Sequence, residues 1–379
     1  IETNQGREIP SDSFRFFSVT LSGDEVVSQD TSHTSLINDE EAATYARAAS
    51  RMTSTLGTIR EKNINLSYQV SKVSKNKILV VFLDTTSYYN SSQALLSLSI
   101  LLSMFGFIFF EGEALREIVF HMGYPTKHKD AFVYSAADIY FSAITPSASG
   151  GQPASAFFMI KDGMPATTVM AALLVNLIMY TLAVISIGVF AILAFPKIFL
   201  NFSVVCKIFI VSGIIVLSVL AIIFYLLLRK QEILKKLAVW LEAFLRKIHC
   251  VHAADRIQNK MEAALKDYAN CVELIFHKKR ALWKAFLLNL LQRMSQIMVT
   301  LFTFFAIHGD LSKIWELFAT QIYVVLGSNC VPIPGAIGVA DYLMLSGYQE
   351  LMSKSDAYHL EILSRGLSFY GCMTVSYTH

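Results

Sequence analysis

Two long apolar runs constrain this chain more than any other feature. They cover Ala166–Leu193 and Val204–Leu228, and only residues 194–203 separate them. A helix needs about 20 apolar residues to cross the hydrocarbon core of a bilayer. Composition agrees, because the chain is 54% hydrophobic and only 16% charged, whereas a soluble domain carries about 25% charged residues. The two runs therefore predict transmembrane helices.

Further apolar segments surround these runs. Ala94–Phe110 is free of charge and just long enough to span, Ala285–Ile307 predicts another span, and His359–Val375 begins a last one. Ala131–Phe158 and Leu317–Leu345 are apolar but are broken by prolines and glycines. We predict a mainly α, polytopic helical membrane protein with two broken or re-entrant segments, preceded by a small α+β soluble domain.

The distribution of basic residues predicts the orientation. Arg229–Lys284 is amphipathic and strongly basic, and such segments stay in the cytoplasm. If both broken segments turn back, they enter from opposite faces, as in transporters with a binding site near the midplane. The alternative is that each is a kinked full span. The basic block could also attract anionic lipid or tRNA, although an effect on topology alone is the more frequent role.

The front of the chain has the pattern of a small soluble domain. Phe14–Leu21 and Ile78–Leu83 are rich in aromatic and β-branched residues, as strands are. Asp39–Arg47 begins with acidic residues, as helices often do. Tyr68–Val73 and Lys77–Asp84 could pair as a hairpin.

These patterns divide the chain into three parts. We assign residues 1–92 to a soluble sensor-like α+β segment, 93–112 to a transmembrane span and 113–379 to a polytopic membrane domain. The chain begins without Met and stops within an apolar run, so both ends are expected to be cut.

The first helix-breaking stretch runs from residue 145 to 153. In hydrocarbon every backbone polar group needs a partner, so such a stretch must face protein or a water-filled cavity. Small residues and paired glycines would let backbone amides approach a phosphate or glycerol headgroup. The alternative is an ordinary interfacial loop. Its candidate site residues are Ser147, Ser149, Gly150, Gly151, Gln152 and Pro153.

The second stretch contains Pro332, Pro334, Gly335 and Gly338, which forbid a regular helix. Asp341 then enters an apolar run, where a carboxylate needs a partner or water. The alternative is that Asp341 caps a helix at the surface.

Two further charged residues lie within apolar segments. Asp138 and Arg293 are each expected to pair or to face a cavity, since a buried charge in a bilayer costs at least ~2.5 kcal/mol. We hypothesise that Arg293 meets a lipid phosphate, whose oxygens suit its planar fork. Alternatively, it extends along the helix to the cytoplasmic surface, because Lys284 is less than three turns away.

Other chemistry is not indicated. The five cysteines form no CxxC pair, and His249, His252 and His277 are not spaced as a convincing metal site. We predict no metal and no cofactor. The chain has no GxxxxGK[ST] loop, so transport by it is not expected to be driven directly by ATP.

Three ordered motifs carry a resemblance to a known family. Residues 147–153 read SASGGQP, residues 159–163 read MIKDG and residues 332–338 read PIPGAIG. They resemble the signature of the lysylphosphatidylglycerol synthase transmembrane, or flippase-like, family over about Glu113–Val375. Ala336 stands where many members have a second Gly, and Asp341 where many have Glu. These two differences leave the resemblance to the family intact but weaken any inference about which lipid is the substrate.

The resemblance implies a function in lipid handling. The best-known members of that family move aminoacylated phosphatidylglycerol across the bacterial cell membrane, and such lipids lower sensitivity to cationic antimicrobial peptides. The partners we consider are membrane phospholipid (phosphatidylglycerol or its aminoacyl derivative), a separate aminoacyltransferase domain and a second copy of the chain in a homo-oligomer. No nucleic acid is expected to bind.

Two alternative functions stay open. The chain could be the membrane half of a phosphatidylglycerol lysyltransferase, although nothing in it resembles the aminoacyltransferase domain of full-length members. It could also be the input part of a receptor, because residues 1–112 resemble the extracytoplasmic sensor and following span of a bacterial sensor histidine kinase. The kinase core is missing, so a joined or fragmentary reading frame is expected.

Overall fold

The computed structural model describes most of the chain, which divides into two compact units, Ile1–Ala94 and Leu95–His379. The described residues are 15–34, 37–52, 54–61, 64–74, 76–145, 149–230, 232, 236, 239, 251–307, 310–331, 333 and 336–367.

The first unit is a five-stranded antiparallel sheet with one helix packed on it. Its strand order is β2-β1-β5-β4-β3. Its elements are β1 (Phe16–Ser22), β2 (Glu25–Asp30), α1 (Asp39–Ser50), β3 (Leu56–Glu61), β4 (Ile64–Ser74) and β5 (Lys77–Asp84).

Alternation of side chains explains how this sheet forms its core. Phe17, Val19 and Leu21 of β1 are fully buried, while the residues between them are only partly covered, as the two-residue period of a strand requires. Asn38 caps α1 through a reciprocal pair of hydrogen bonds with Glu41. The predicted strands, helix start and β4–β5 hairpin are thereby confirmed.

The second unit is helical. Its elements are α2 (Thr86–Leu101, which begins in the first unit), a π-helical segment (Leu102–Gly106), α3 (Phe107–His121), α4 (His128–Ile144), α5 (Gly151–Lys161), α6 (Ala166–Ala194), α7 (Pro196–Asn201), α8 (Val204–Arg229), α9 (Val251–His277), α10 (Lys279–Ala306), a 3₁₀ turn (Leu311–Lys313), α11 (Ile314–Ser328), α12 (Val339–Tyr348) and α13 (Lys354–Arg365).

Three of these helices are long and apolar enough to cross a membrane. Among the described residues they are α6, α8 and α10, and α11 is a shorter apolar helix. The predicted boundaries of α6 and α8 agree with the structure within one residue, because uninterrupted apolar sequence defines both ends. α10 begins at Lys279 rather than Ala285. The chain is a polytopic helical membrane protein.

The predicted span Ala94–Phe110 is part of a longer helical stretch. α2, the π-helical segment and α3 follow one another without a break from Thr86 to His121. The helix therefore continues through the charged residues after Phe110. Several of these residues form ion pairs. Glu117, for example, lies 2.7 Å from Lys284 at the start of α10.

The first broken segment is an antiparallel helical hairpin, here called hairpin A, formed by α4 and α5. Tyr134, in the first half of α4, donates a 2.5 Å hydrogen bond to Asp162 just after α5. α5 has 11 residues and is therefore about 16 Å long, too short to cross a hydrocarbon core of about 30 Å. The chain turns back, so a kinked full span is wrong for this segment.

The second broken segment forms a similar hairpin, hairpin B, from α11 and α12. Tyr348, at the end of α12, donates a 2.5 Å hydrogen bond to Gln321 in the first half of α11. Lys313 and Leu351 close its open end through a 2.5 Å hydrogen bond from Nζ to the carbonyl oxygen. α12 has 10 residues and is about 15 Å long, so this segment also turns back.

The two hairpins open toward opposite ends of α6. Asp162, at the open end of hairpin A, shortly precedes Ala166, the first residue of α6. Tyr323 of hairpin B instead donates hydrogen bonds to the carbonyl oxygens of Ala191 and Phe195, at the far end of α6. The geometry has the inverted arrangement expected from the sequence. Which end faces the cytoplasm remains a prediction.

The last predicted span lies only partly within the described residues. α13 covers Lys354–Arg365 and begins earlier than expected, with Ser353 as its N-cap. Residues 368–375 of the predicted span lie outside the described part of the chain.

Candidate functional site

The paired glycines allow the two helices of hairpin A to touch. Gly150 precedes α5 and Gly151 is its first residue. A Cβ atom at Gly151 would clash with the carboxylate of Asp138 and the hydroxyl of Ser142 on α4. Pro153 lies in the first turn of α5, where its missing N–H has no helical partner to lose. The glycine motif thus brings α5 against Asp138.

Asp138 is held by neutral donors from both helices of hairpin A. Gln152 Nε2 donates to its Oδ2 at 2.5 Å, and Ser142 Oγ donates to its Oδ1 at 3.0 Å. The residue is only 9% exposed. The sequence predicted both Asp138 and Gln152 as site residues, and the structure brings the two into direct contact.

Glu111 is a neighbouring carboxylate that the sequence analysis missed. Ser135 and Gln292 donate to its Oε2 at 3.2 and 2.9 Å. Ser135 lies one turn before Asp138 on α4, and Gln292 directly precedes Arg293 on α10, so these two hydrogen bonds place Glu111 with both charged residues. A signal was available, since Glu111 is the first acidic residue after the charge-free run that ends at Phe110.

Arg293 completes this group from α10. Its guanidinium lies over the ring of Tyr180 on α6, 4.8 Å from the ring centroid, and donates to the Tyr180 hydroxyl and to Gln296. Arg293 is 8% exposed, so its side chain is buried rather than extended to a surface. We call the assembled set the polar cluster: Glu111, Ser135, Asp138, Gln152, Gln292 and Arg293.

Several buried polar atoms of α10 have no hydrogen-bond partner among the described residues. They are Arg293 Nε, Gln292 Oε1 and Asn289 Oδ1. The other amide atom of Asn289 is satisfied by Asn176 of α6, at 3.0 Å. Because an unsatisfied buried polar atom is costly, such atoms indicate a place for water or for polar atoms of a ligand. One donor and two acceptors are available here.

Asp341 lies in a different environment. Its Oδ2 accepts a 2.8 Å hydrogen bond from the backbone N–H of Gly338, the N-cap of α12, whose φ is 86°. Its Oδ1 lies 2.8 Å from Arg365 Nε on α13. Asp341 therefore caps a helix, as the alternative interpretation expected, and also pairs with a cation of another helix.

The described residues of the two predicted stretches have different partners: Gly151 and Gln152 contact Asp138 of α4, whereas Asp341 contacts Arg365 of α13. Thr300 of α10 lies 2.6 Å from Ser364, the neighbour of Arg365, and Thr300 is two turns beyond Arg293, about 10 Å along the helix. The polar cluster therefore contains three of the predicted site residues, Asp138, Gln152 and Arg293, and Gly151 packs against it. Gly338 and Asp341 lie apart from it. Ser149 is exposed. Ser147, Pro332, Pro334 and Gly335 lie outside the described residues.

A separate cavity of about 340 Å³ lies beside α7 and the open end of hairpin B. Its lining includes Lys197, Glu316 and Glu350, which are all exposed. The cavity is at the opposite end of α6 from the open end of hairpin A. None of the residues predicted from the sequence lines it.

Comparison with known proteins now identifies the family. The family model described as the lysylphosphatidylglycerol synthase TM region matches residues 77–376. The chain belongs to this family. No curated protein and no solved structure matches it. The lysylphosphatidylglycerol synthase TM region begins at Lys77, well before Glu113, and so takes in β5 and α2. These comparisons do not show the resemblance of residues 1–112 to a kinase sensor, which stays a prediction, as do the domain boundaries.

Proposed function

We propose that this protein translocates a phospholipid with a charged headgroup, either aminoacylated phosphatidylglycerol or a related anionic lipid. The observation that carries the proposal is the polar cluster, which combines two carboxylates and a guanidinium with buried atoms that lack partners in the described residues. A purely structural cluster in an apolar interior would be expected to satisfy such atoms internally.

The chemistry of the polar cluster suits an aminoacylated headgroup. The Nε–H of Arg293 can donate to a phosphate oxygen, a contact that guanidinium groups favour. Glu111, Asp138 and the free Gln292 oxygen can accept hydrogen bonds from an ammonium group. One headgroup could thereby have both its negative and its positive groups neutralised.

The depth of the polar cluster supports passage rather than surface binding. Gln292 follows Lys284 by just over two turns, about 12 Å along α10. Lys284 itself is the last residue of the basic segment predicted to be cytoplasmic, and it pairs with Glu117. A headgroup at the cluster would therefore already have left the membrane surface, in a hydrocarbon core about 30 Å thick.

The proposal includes a biological setting. We place the protein in the bacterial cell membrane, where exposure of aminoacylated lipid at the outer leaflet lowers the negative surface charge. Cationic antimicrobial peptides would then bind less. Membrane phospholipid is the proposed partner, and an aminoacyltransferase domain would supply the modified lipid.

Reconstitution tests the proposal directly. Purified full chain is placed in phosphatidylglycerol vesicles that contain lysylphosphatidylglycerol, and an impermeant amine-reactive reagent reports the lipid exposed outside. We expect the wild-type protein to accelerate exposure and Arg293→Gln to abolish most of that acceleration. Arg280→Gln is the matched control, because Arg280 is an exposed arginine on the same helix. Exposure no faster than in protein-free vesicles would refute the proposal.

A second candidate function is the membrane half of a phosphatidylglycerol lysyltransferase. The description of the family as a synthase region favours it. Expression of this chain in a host that lacks aminoacylated lipids distinguishes the two. New aminoacylated lipid would support the transferase, whereas none is expected of a translocase alone.

A further inference from the structure

The charges of the polar cluster do not balance. The cluster holds two carboxylates, Glu111 and Asp138, and one cation, Arg293. The groups that the described helices bring against them from α4, α5, α6 and α10 are otherwise neutral: Ser135, Ser142, Gln152, Tyr180, Gln292 and Gln296. With both carboxylates ionised, this part of the described structure carries a net charge of −1 in an apolar interior, where an uncompensated charge is costly.

The hydrogen bonds indicate what compensates that charge. Ser135 and Gln292 both donate to the same oxygen of Glu111, Oε2. Gln292 Oε1, at the other end of the same amide, is a buried acceptor with no partner in the described part of the chain, and Gln292 is only 2% exposed. A buried acceptor on a side chain that contacts Glu111 requires a donor. The O–H of a protonated carboxyl or the N–H of an ammonium meets that need, and an anion does not.

We propose that Glu111 and Asp138 share one proton when the site is empty and release it when a headgroup of net charge +1 binds. The protein then exchanges a cationic lipid for a proton. This inference rests on the proposed translocase function and specifies its substrate class and its driving force. A lysyl headgroup has this charge, since it combines one phosphate with two ammonium groups.

Charge balance makes the exchange reasonable in an apolar interior. With the proton bound, the two carboxylates and Arg293 sum to zero. When the headgroup binds, the proton leaves to the water on the side to which the site is open, and the charges of site and headgroup again sum to zero. The site is therefore neutral overall both with the proton bound and with the headgroup bound. Neither form carries an uncompensated charge through hydrocarbon. The empty, deprotonated site is the disfavoured state.

The net charge of the headgroup predicts different behaviour for two kinds of lipid. A zwitterionic headgroup such as phosphatidylethanolamine brings no net charge and has no proton to displace. Its movement through the protein, if any, should be independent of a pH gradient. A pH gradient should drive lysylphosphatidylglycerol toward the more acidic side, because a proton moves the opposite way.

Vesicles with an imposed pH gradient test the proposal. The full chain is reconstituted with either lipid, and amine labelling follows the outer leaflet with the gradient set in each direction. We expect reversal of the gradient to reverse the accumulation of lysylphosphatidylglycerol only. Glu111→Gln and Asp138→Asn should lose this response, whereas the exposed controls Glu273→Gln and Asp267→Asn on α9 should keep it.

Proton release provides a measurement that does not depend on the variants folding. Wild-type protein in weakly buffered detergent solution is mixed with short-chain lysylphosphatidylglycerol, and a pH indicator follows the solution. Acidification that saturates with binding supports the proposal. Lipid movement that is independent of the pH gradient, or lipid binding without proton release, would refute the exchange of lipid for a proton. Neither result would refute the translocase function. Absence of protein-dependent movement for every lipid overturns both.

Discussion

The Tyr134 hydroxyl donates a 2.5 Å hydrogen bond to Asp162 Oδ2 and thereby ties the first half of α4 to the end of α5. This single contact lies at the open end of hairpin A. It shows that the chain returns to the side from which it entered, and so it fixes the fold of the segment that supplies Asp138 and Gln152 to the polar cluster.

Removal of this hydroxyl should loosen hairpin A. We expect Tyr134→Phe to lower the free energy of unfolding by about 1.5–3 kcal/mol, the range for a hydrogen bond to a charged group. Thermal unfolding of the detergent-solubilised protein measures the effect. Tyr358→Phe is the control, because Tyr358 is 42% exposed. Equal stability of the two variants would show that the hairpin does not depend on this contact.

A methyl group at Gly151 should separate the helices of hairpin A. Gly151→Ala places a Cβ against Asp138 and Ser142, and overpacking of this kind typically costs ~1–3 kcal/mol. Loss of stability and slower lipid exposure should therefore occur together. Gly366→Ala serves as the control, since a Cβ there has no atom within 4 Å. A Gly151→Ala protein with wild-type transport would argue against close packing at Asp138.

Acid should weaken the junction between α3 and α4. Glu113 Oε2 lies 2.8 Å from Arg116 Nη2, and its Oε1 lies 2.5 Å from His128 Nδ1. Burial raises the pKa of Glu113, but the hydrogen bonds from Arg116 and His128 outweigh it, so the pKa lies below its ordinary value of 4.5. The ionised form is therefore favoured by folding, and its contribution is present above 4.5 and lost as the pH falls through the lower folded value.

The test of this junction compares thermal unfolding of wild type and Glu113→Gln between neutral pH and about pH 3. The variant should be less stable at neutral pH, and the difference should shrink in acid. Glu273→Gln, at an exposed position, should show no such trend. A difference that stays constant with pH would mean that the Glu113 charge is not involved.

The Asp341–Arg365 pair should couple α12 to α13. Its side chains are 29% and 18% exposed at a separation of 2.8 Å. A double-mutant cycle with Asp341→Asn and Arg365→Gln should give a coupling energy of about 0.5–3 kcal/mol, the range for contacting residues. The Asp24–Arg51 pair is a matched control at 2.9 Å. Because its side chains are about two-thirds exposed, it should couple more weakly. Equal couplings would contradict this role for Asp341.

Local sequence predicted the elements that depend on local composition. The apolar runs located α6 and α8, the content of aromatic and β-branched residues located β1 and β5, and acidic residues located the start of α1. β2 and β3 escaped prediction. Glu25–Asp30 is largely polar and exposed, and β3 is an edge strand with few buried residues. An edge strand is stabilised by pairing with its neighbour rather than by its own apolar pattern.

The candidate site was only partly predictable for a related reason. Prolines, glycines and isolated charges identified Asp138, Gln152 and Arg293 as unusual in an apolar setting. They did not identify Glu111, because a carboxylate at the start of a charged segment resembles a solvated one. The residues that donate hydrogen bonds to it, Ser135 and Gln292, come from helices remote in sequence.

The sequence by itself determined that this chain is a helical membrane protein with two interrupted segments, since hydrocarbon permits few backbone conformations and the breaks are encoded locally. Only the tertiary structure decided that both segments turn back, that they open toward opposite ends of α6, and that Glu111 joins Asp138 and Arg293. Those outcomes depend on contacts between helices far apart in the chain, and no local pattern specifies which face of one helix meets which face of another.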